Sequence, residues 1–221
     1  MIEIILNYVS IFIALMIVLP FHEFAHSFAA VKSGDITPKL YGRYTLNPFA
    51  HFDILGLCCF VFAGFGWAKP VPVNSSNFKN YKKGCFFVSI AGVAMNYFLA
   101  FFSLPLFYLS INYLPSFGYF TTVINSALYY IFYLSLVFFV FNLIPVYPLD
   151  GFRIIEVFCK RQGNFYRILR YYGTYVLYGL FFLSILARYT GFLYFNFLGI
   201  FIDFFVSIIK VPITAFWGLI F

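Results

Sequence analysis

The most constraining feature of this sequence is a cluster of ionisable residues at the end of an apolar segment. His22, Glu23 and His26 directly follow residues 4–21, a run without a charged residue. On a helix, two histidines four residues apart lie on one face, where two neutral imidazoles can share a zinc ion. Glu23 lies beside them, where its carboxylate can act on a water molecule rather than bind the ion. The pattern H-E-x-x-H arises by chance in roughly one of two thousand chains of this composition, so it indicates a metal site.

The composition indicates a membrane protein with several spans. Of the 221 residues, 63% are hydrophobic and 10% are charged, whereas soluble domains have about 25% charged residues. A net charge of +7 would suit nucleic-acid binding in a soluble protein, but in a membrane protein basic residues first report topology and contact with anionic lipid. We therefore expect contact with membrane lipid and no nucleic-acid partner. For His22 and His26 the alternative is a pair of histidines hydrogen-bonded to neighbouring carbonyls.

The hydrophobic segments predict an all-α polytopic membrane protein with about five transmembrane helices. The predicted spans are residues 4–31, 86–107, 120–144, 172–186 and 192–209, chosen by length and lack of charge. No linker or internal repeat divides the chain. We expect one membrane-embedded domain over residues 1–221, with a catalytic core at about 5–155 and additional C-terminal helices at about 172–221.

Between the first two spans, the sequence predicts a re-entrant or β-hairpin-like segment. The apolar run 54–65 is too short to span a bilayer comfortably, and irregular backbone at membrane depth is tolerated where it is buried in protein or lines a wet cavity. Lysines and arginines lie on both sides of this run, so a full crossing would conflict with the positive-inside rule. The same rule puts the metal motif towards the cytoplasmic side. Residues 67–73, which include two prolines, are expected to be extended.

A catalytic zinc usually has three protein ligands, so one ligand is missing from the histidine pair. Asp150 is the best candidate because it ends an inward-running span at the same side of the membrane as the motif. His51 and Glu156 are the alternatives. The carboxylates of Asp35 and Asp53 lie in polar loops, where solvation is the simpler interpretation.

Four ordered elements of the chain together resemble the site-2 protease family of intramembrane zinc metalloproteases. The first is the motif at residues 22–26, which resembles the family's H-E-x-x-H signature. The others are residues 47–53, which resemble Asn-Pro-x-x-His, the group Ala91-Gly92 with Asn96, and residues 142–151, which resemble Asn-x-x-Pro-x-x-Pro-x-Asp-Gly. The chain departs from the family pattern at Val93 and Ile54, where the family commonly has proline.

The resemblance implies a function and a role for each site residue. His22, His26 and Asp150 would bind one Zn²⁺ per chain, Glu23 would be the general base, and Asn142 would help to stabilise the oxyanion. The expected reaction is hydrolysis of a peptide bond within or near a transmembrane helix of a single-pass membrane protein. The expected location is the bacterial inner membrane, with the active site towards the cytoplasm.

Two questions about function stay open in the sequence. A membrane metal-ion transporter or channel could use the same ligands, but it would be expected to carry acidic residues along several spans. A protease must also open its helical substrate into an extended strand. We expect residues 67–74 to pair with that strand, in which case proline at Val71 or Val73 would reduce cleavage without removing zinc.

Overall fold

The computed structural model describes residues 1–56, 59, 66–158 and 163–221. Long helices dominate the described part of the chain, and short helices and 3-10 turns occupy the connections. The helices include, in chain order, α1 (Ile2–Ser33), α2 (Thr37–Leu40), α3 (Tyr81–Tyr113), α4 (Tyr119–Leu143), α5 (Asp150–Phe158), α6 (Asn164–Thr190) and α7 (Phe197–Gly218).

The described residues contain five helices long and apolar enough to cross a membrane. They are Ile2–Ser33, Tyr81–Tyr113, Tyr119–Leu143, Tyr166–Thr190 and Phe197–Gly218. The prediction of an all-α membrane protein with five spans is therefore confirmed. Most of the helices extend beyond the predicted spans, because a helix continues into the interface for as long as its backbone and caps allow. Asn80, for example, caps α3 by accepting a hydrogen bond from the N–H of Lys83 at 3.1 Å, several residues before the apolar stretch begins.

Helices α1, α3 and α4 form the core that carries the site. Ala14 and Val18 of α1 pack against Ile131 of α4. On the other side of α4, Leu136 packs against α3 and against Ile213 of α7 in a second buried cluster. Ala14 and Ala100, the small residues of these two clusters, allow close approach of the helices, as is common where membrane helices associate.

The connection after α1 is fastened to the core by polar contacts. Helix α1 ends at Gly34, whose backbone is left-handed with φ 113. The next residue, Asp35, is fully buried and accepts hydrogen bonds from the N–H of Asn74 at 2.7 Å and from Nδ2 of Asn77 at 2.8 Å. The interpretation of Asp35 as a solvated loop residue was therefore wrong. Its carboxylate joins the end of α1 to the residues just before α3.

The predicted re-entrant or β-hairpin-like segment is not confirmed. Most of its apolar run, residues 57, 58 and 60–65, lies outside the described residues. The described residues on either side show an isolated antiparallel bridge between Phe52 and Ala68 and a hydrogen bond of 2.7 Å from the N–H of Lys69 to the carbonyl of His51. The two arms therefore meet at this point, although no β-strand forms within the described part of the chain.

Candidate metal centre

Helix α1 presents the two histidines of the motif on one buried face. His22 and His26 are each 7% exposed, and their Nε2 atoms lie 3.0 Å apart. Their rings meet edge to face, with centroids 4.6 Å apart. Two imidazoles one helical turn apart thus point the same ring nitrogen at one spot, as the spacing predicts.

Asp150 reaches the same spot from the first turn of α5. Its Oδ2 atom lies 3.1 Å from Nε2 of His26 and 3.6 Å from Nε2 of His22. Gly151 makes this approach possible, because a Cβ atom there would lie 2.3 Å from the carbonyl oxygen of Leu143. Helix α5 therefore starts against the end of α4 and turns the carboxylate inward.

These three side chains fit a zinc ion in chemistry and in spacing. One ligand atom from each of them lies within 4.8 Å of the others. Two imidazole nitrogens and a carboxylate oxygen are a common donor set for catalytic zinc, and bonds of about 2.0–2.1 Å in a tetrahedron separate ligands by about 3.3 Å. The buried Oδ2 of Asp150 has no hydrogen-bond partner among the described residues. Burial of such an oxygen is costly, and a bound cation would offset that cost. The structure thus assembles a group that could hold a metal ion, and the role of each residue stays a prediction.

Helix α3 orients the imidazole of His26 by its backbone. The carbonyl oxygen of Val88 lies 2.7 Å from Nδ1 of His26. Because a carbonyl only accepts, Nδ1 carries the proton and Nε2 keeps its lone pair for a metal. Gly92, one turn further on, lets α3 approach, since a Cβ atom there would lie 2.3 Å from Nε2 of His26.

Asn96 contacts the other imidazole. Its side-chain amide lies 3.1 Å from Nδ1 of His22, the residue is fully buried, and its Oδ1 atom has no partner among the described residues. The two ends of an amide differ only in whether they donate or accept. The structure places Nδ2 of Asn96 towards His22. If the amide is turned by 180°, Nδ1–H of His22 donates to Oδ1, and Nε2 of His22 keeps its lone pair for the ion.

Glu23 is buried next to these ligands and is held by the main chain. Its Oε2 atom accepts a hydrogen bond from the N–H of Val71 at 3.1 Å. Val71 lies between Pro70 and Pro72, which have no N–H, so Val71 supplies the one main-chain donor of this tripeptide. Sequence reasoning missed the contact, because an N–H donor can belong to almost any residue type and leaves no signature.

The other predicted site residues lie in different surroundings. Nδ2 of Asn142 donates to the carbonyl of Phe138, one turn earlier in α4, at 3.0 Å. The side-chain amide of Asn142 is therefore hydrogen-bonded within its own helix, and the role of Asn142 in stabilising an oxyanion stays a prediction. Glu156 accepts from the hydroxyl of Tyr166 at 2.9 Å and pairs with Arg170 at 3.8 Å, and it does not belong to the group of possible ligands.

His51, the other alternative ligand, is also buried away from the group. Its Nε2 lies 2.8 Å from the carbonyl oxygen of Thr45. Burial lowers the pKa of His51, the bond to Thr45 acts in the opposite direction, and the Arg43 cation adds to the lowering. The carbonyl of His51 accepts a hydrogen bond from the N–H of Lys69 at 2.7 Å. Of the three candidates for the missing ligand, only Asp150 joins the histidines.

Comparison with known proteins gives two matches. The model of peptidase family M50 matches residues 118–186, which include Asp150. A relative from Bacillus subtilis (strain 168), named "Putative zinc metalloprotease YwhC", is 43% identical over 145 residues, which are 65% of this chain and 66% of that protein. The match thus spans just under two thirds of the relative's length. No solved structure matches the chain. With the H-E-x-x-H motif, the buried group of possible ligands and five helices long and apolar enough to cross a membrane, these matches show that the chain resembles peptidase family M50, the site-2 protease family.

Proposed function

We propose that this protein is an intramembrane zinc metalloprotease that hydrolyses a peptide bond within or near a transmembrane helix of its substrate. The observation that carries the proposal is the convergence of His22, His26 and Asp150 at a buried point among helices that can span a membrane. Polar groups at such depth are costly and usually functional. The name of the Bacillus subtilis relative supports the same class of chemistry.

The protein's own residues have distinct tasks in this reaction. His22, His26 and Asp150 would hold one Zn²⁺, which when bound supplies a Lewis acid and a water of lowered pKa. Glu23, which is not one of the possible ligands, would take the proton from the attacking water and deliver it to the leaving amine. The N–H of Val71 bonds to Oε2 of Glu23, and in the proposed reaction the other carboxylate oxygen would face the water.

The substrate is proposed to be a single-pass membrane protein that enters from the lipid. Basic residues lie at the end of α1, in the connection that follows it and at the start of α3, among them Lys32, Lys39, Lys79 and Lys82. By the positive-inside rule this end faces the cytoplasm, and the inner membrane of a bacterium is the membrane that we propose. Water would then reach the buried ligands from the cytoplasmic side.

The direct test is to compare the intact protein with Glu23→Gln on reporters that each contain one apolar transmembrane helix. Glutamine has the size of glutamate but cannot accept the proton, so cleavage should fall by about 10²-fold or more. Bound zinc, measured by elemental analysis, should stay unchanged. Cleavage that persists in Glu23→Gln would contradict the proposal, and metal flux without cleavage would support a transporter instead.

A further inference from the structure

A cavity of about 180 Å³ opens beside the metal ligands, and the chemistry proposed above does not use it. It lies where the extended residues after the 52–68 bridge meet α3 and α5. Its lining includes Val71, Val73, Phe78, Cys85, Val88 and Arg153. We refer to it below as the side cavity.

Three parts of the side-cavity wall adjoin the candidate metal centre directly. Val71 donates its N–H to Glu23 at 3.1 Å, and Val88 provides the carbonyl 2.7 Å from Nδ1 of His26. Arg153 lies one turn after Asp150 on α5. A group inside the side cavity is therefore next to the bond that Glu23 and the metal would act on.

The chemistry of the wall favours an apolar occupant. Val71, Val73, Val88 and the Phe78 ring form an apolar part of the wall, and two of them, Val71 and Val88, are the residues that contact the site. Two polar groups of the wall are engaged within the protein: Ser89 donates to the carbonyl of Cys85 at 2.8 Å, and Glu156 accepts from the hydroxyl of Tyr166 at 2.9 Å. A polar group that an occupant placed against Val71, Val88 and Phe78 would lose water without gaining a hydrogen bond from their side chains.

The volume of the side cavity limits the size of the occupant. An apolar cavity of about 150 Å³ in another protein accommodates a benzene molecule. At about 180 Å³ the side cavity can take one side chain the size of leucine or phenylalanine. Alanine would leave most of this volume empty.

We propose that the side cavity is a specificity subsite, which receives one large apolar side chain of the substrate residue flanking the scissile bond. This inference rests on the proposed protease function. By this inference, the protein selects the scissile bond by the side chain that flanks it, as well as by the position at which the substrate helix opens. Burial of such a side chain would also help to hold the opened strand against Val71 and Val88.

The first test fills the side cavity with Cys85→Phe and uses Leu106→Phe as the matched control. Leu106 is on the same helix and 52% exposed, so its enlargement should reach only lipid. The substrate is a reporter helix that the intact protein cleaves and Glu23→Gln does not, with the cleaved bond mapped by mass spectrometry. The flanking residue is then varied between leucine and alanine.

For Cys85→Phe we expect cleavage of the leucine reporter to fall by about tenfold or more relative to the alanine reporter, the scale of discrimination in an apolar pocket. Leu106→Phe should change neither rate, and all variants should bind equal zinc. Equal effects on the two reporters would overturn the subsite. The absence of any Glu23-dependent cleavage would instead contradict the protease function itself, so the two failures are distinguishable.

The second test does not require a variant with a filled cavity. In Glu23→Gln protein that keeps Cys85 and has serine at Cys58, Cys59 and Cys159, a single cysteine is moved along the reporter helix. Under mild oxidation with copper phenanthroline, disulfides to Cys85 should form from the positions flanking the mapped bond and from no others. Cross-linking that is uniform along the helix, or absent at the flanking positions, would overturn the proposal; Cys85→Ser is the control for background.

Discussion

At the scale of single residues, each imidazole of the metal centre takes its orientation from α3, not from its own helix. Val88 fixes His26 through a backbone carbonyl at 2.7 Å, while Asn96 contacts His22 through a side-chain amide at 3.1 Å. A ligand whose ring is held in this way loses less freedom on binding and keeps the correct nitrogen for the metal. Of the two contacts, only the one from Asn96 can be removed by substitution.

We expect Asn96→Ala to weaken zinc binding by about 10–100-fold, the usual cost of losing a partner of a metal-ligating histidine. The substitution leaves Nδ1 of His22 buried without its amide. Ser103→Ala is the matched control, because Ser103 is also buried on α3 but bonds to the carbonyl of Ala100 in its own helix. Competition with a chelator of known affinity measures the dissociation constant for zinc. Equal zinc affinities in the two variants would contradict a positioning role for Asn96.

At the scale of elements, the extended residues before α3 are held to α1 at two points. Val71 bonds to Glu23 near the metal centre, and Asn74 and Asn77 bond to Asp35 at the helix end. The side chain of Asp35 also accepts from the hydroxyl of Thr37 at 2.5 Å. These residues therefore connect the C-terminal end of α1 to the proposed general base.

Replacing Val71 by proline should impair cleavage more than replacing Val73. Proline removes the N–H that holds Glu23, whereas the described residues show no comparable bond from Val73 to a site residue. We expect about tenfold slower cleavage for Val71→Pro, since a misplaced base loses much of its advantage, with zinc content unchanged. Val71→Ala keeps the N–H and serves as control. If both proline variants were equally slow, the pairing of this segment with the substrate strand would be the better explanation.

The bonds to Asp35 predict a dependence of stability on pH. Burial raises the pKa of this carboxyl, but the hydrogen bonds from Thr37, Asn77 and Asn74 outweigh it and lower the pKa below the ordinary value. A lowered pKa means that the stabilisation is complete above the unfolded-state pKa of about 3.9 and is lost as the pH falls through the folded-state pKa.

Asp35→Asn should therefore reduce the free energy of unfolding by about 1.5–3 kcal/mol at neutral pH, the range for hydrogen bonds to a charged group. The difference from the wild type should be constant above about pH 5 and should shrink below about pH 4. Unfolding of both proteins in detergent at a series of pH values measures this difference in the free energy of unfolding. Asp53→Asn, a carboxylate that accepts one bond from the N–H of Gly56, should show a smaller effect, and an equal one would argue against Asp35 as the fastening point.

The sequence predicts the long elements of this protein better than their connections. Uninterrupted apolar runs have few alternatives to a helix in a bilayer, so five spans can be found by length alone. The spacing of His22 and His26 and the position of Asp150 at a span end also predict the ligand group. The contacts of Val71 and Val88 use backbone atoms, which carry no residue-type signal. Asp35 was misjudged because a carboxylate in a polar loop has the same sequence pattern whether it is solvated or bonded.

At the scale of the whole molecule, the ligands join parts of the chain that are far apart in sequence. Helix α1 provides two of the candidate ligands, and the third begins α5 after two further candidate spans. An unfolded chain does not hold such ligands together, so a bound ion stabilises only the folded state. The folded protein should therefore be more stable with zinc than without it.

Removal of zinc with a chelator should lower the free energy of unfolding by about 2.7 kcal/mol when the reference condition has free zinc at about 100 times its dissociation constant. The thermal midpoint in detergent measures this change, and added zinc should restore it. Two variants separate the metal effect from general damage. Glu23→Gln should keep the full response to zinc, because Glu23 is outside the ligand group, whereas Asp150→Asn should lose most of it. A response that survives in Asp150→Asn would mean that the ion binds elsewhere.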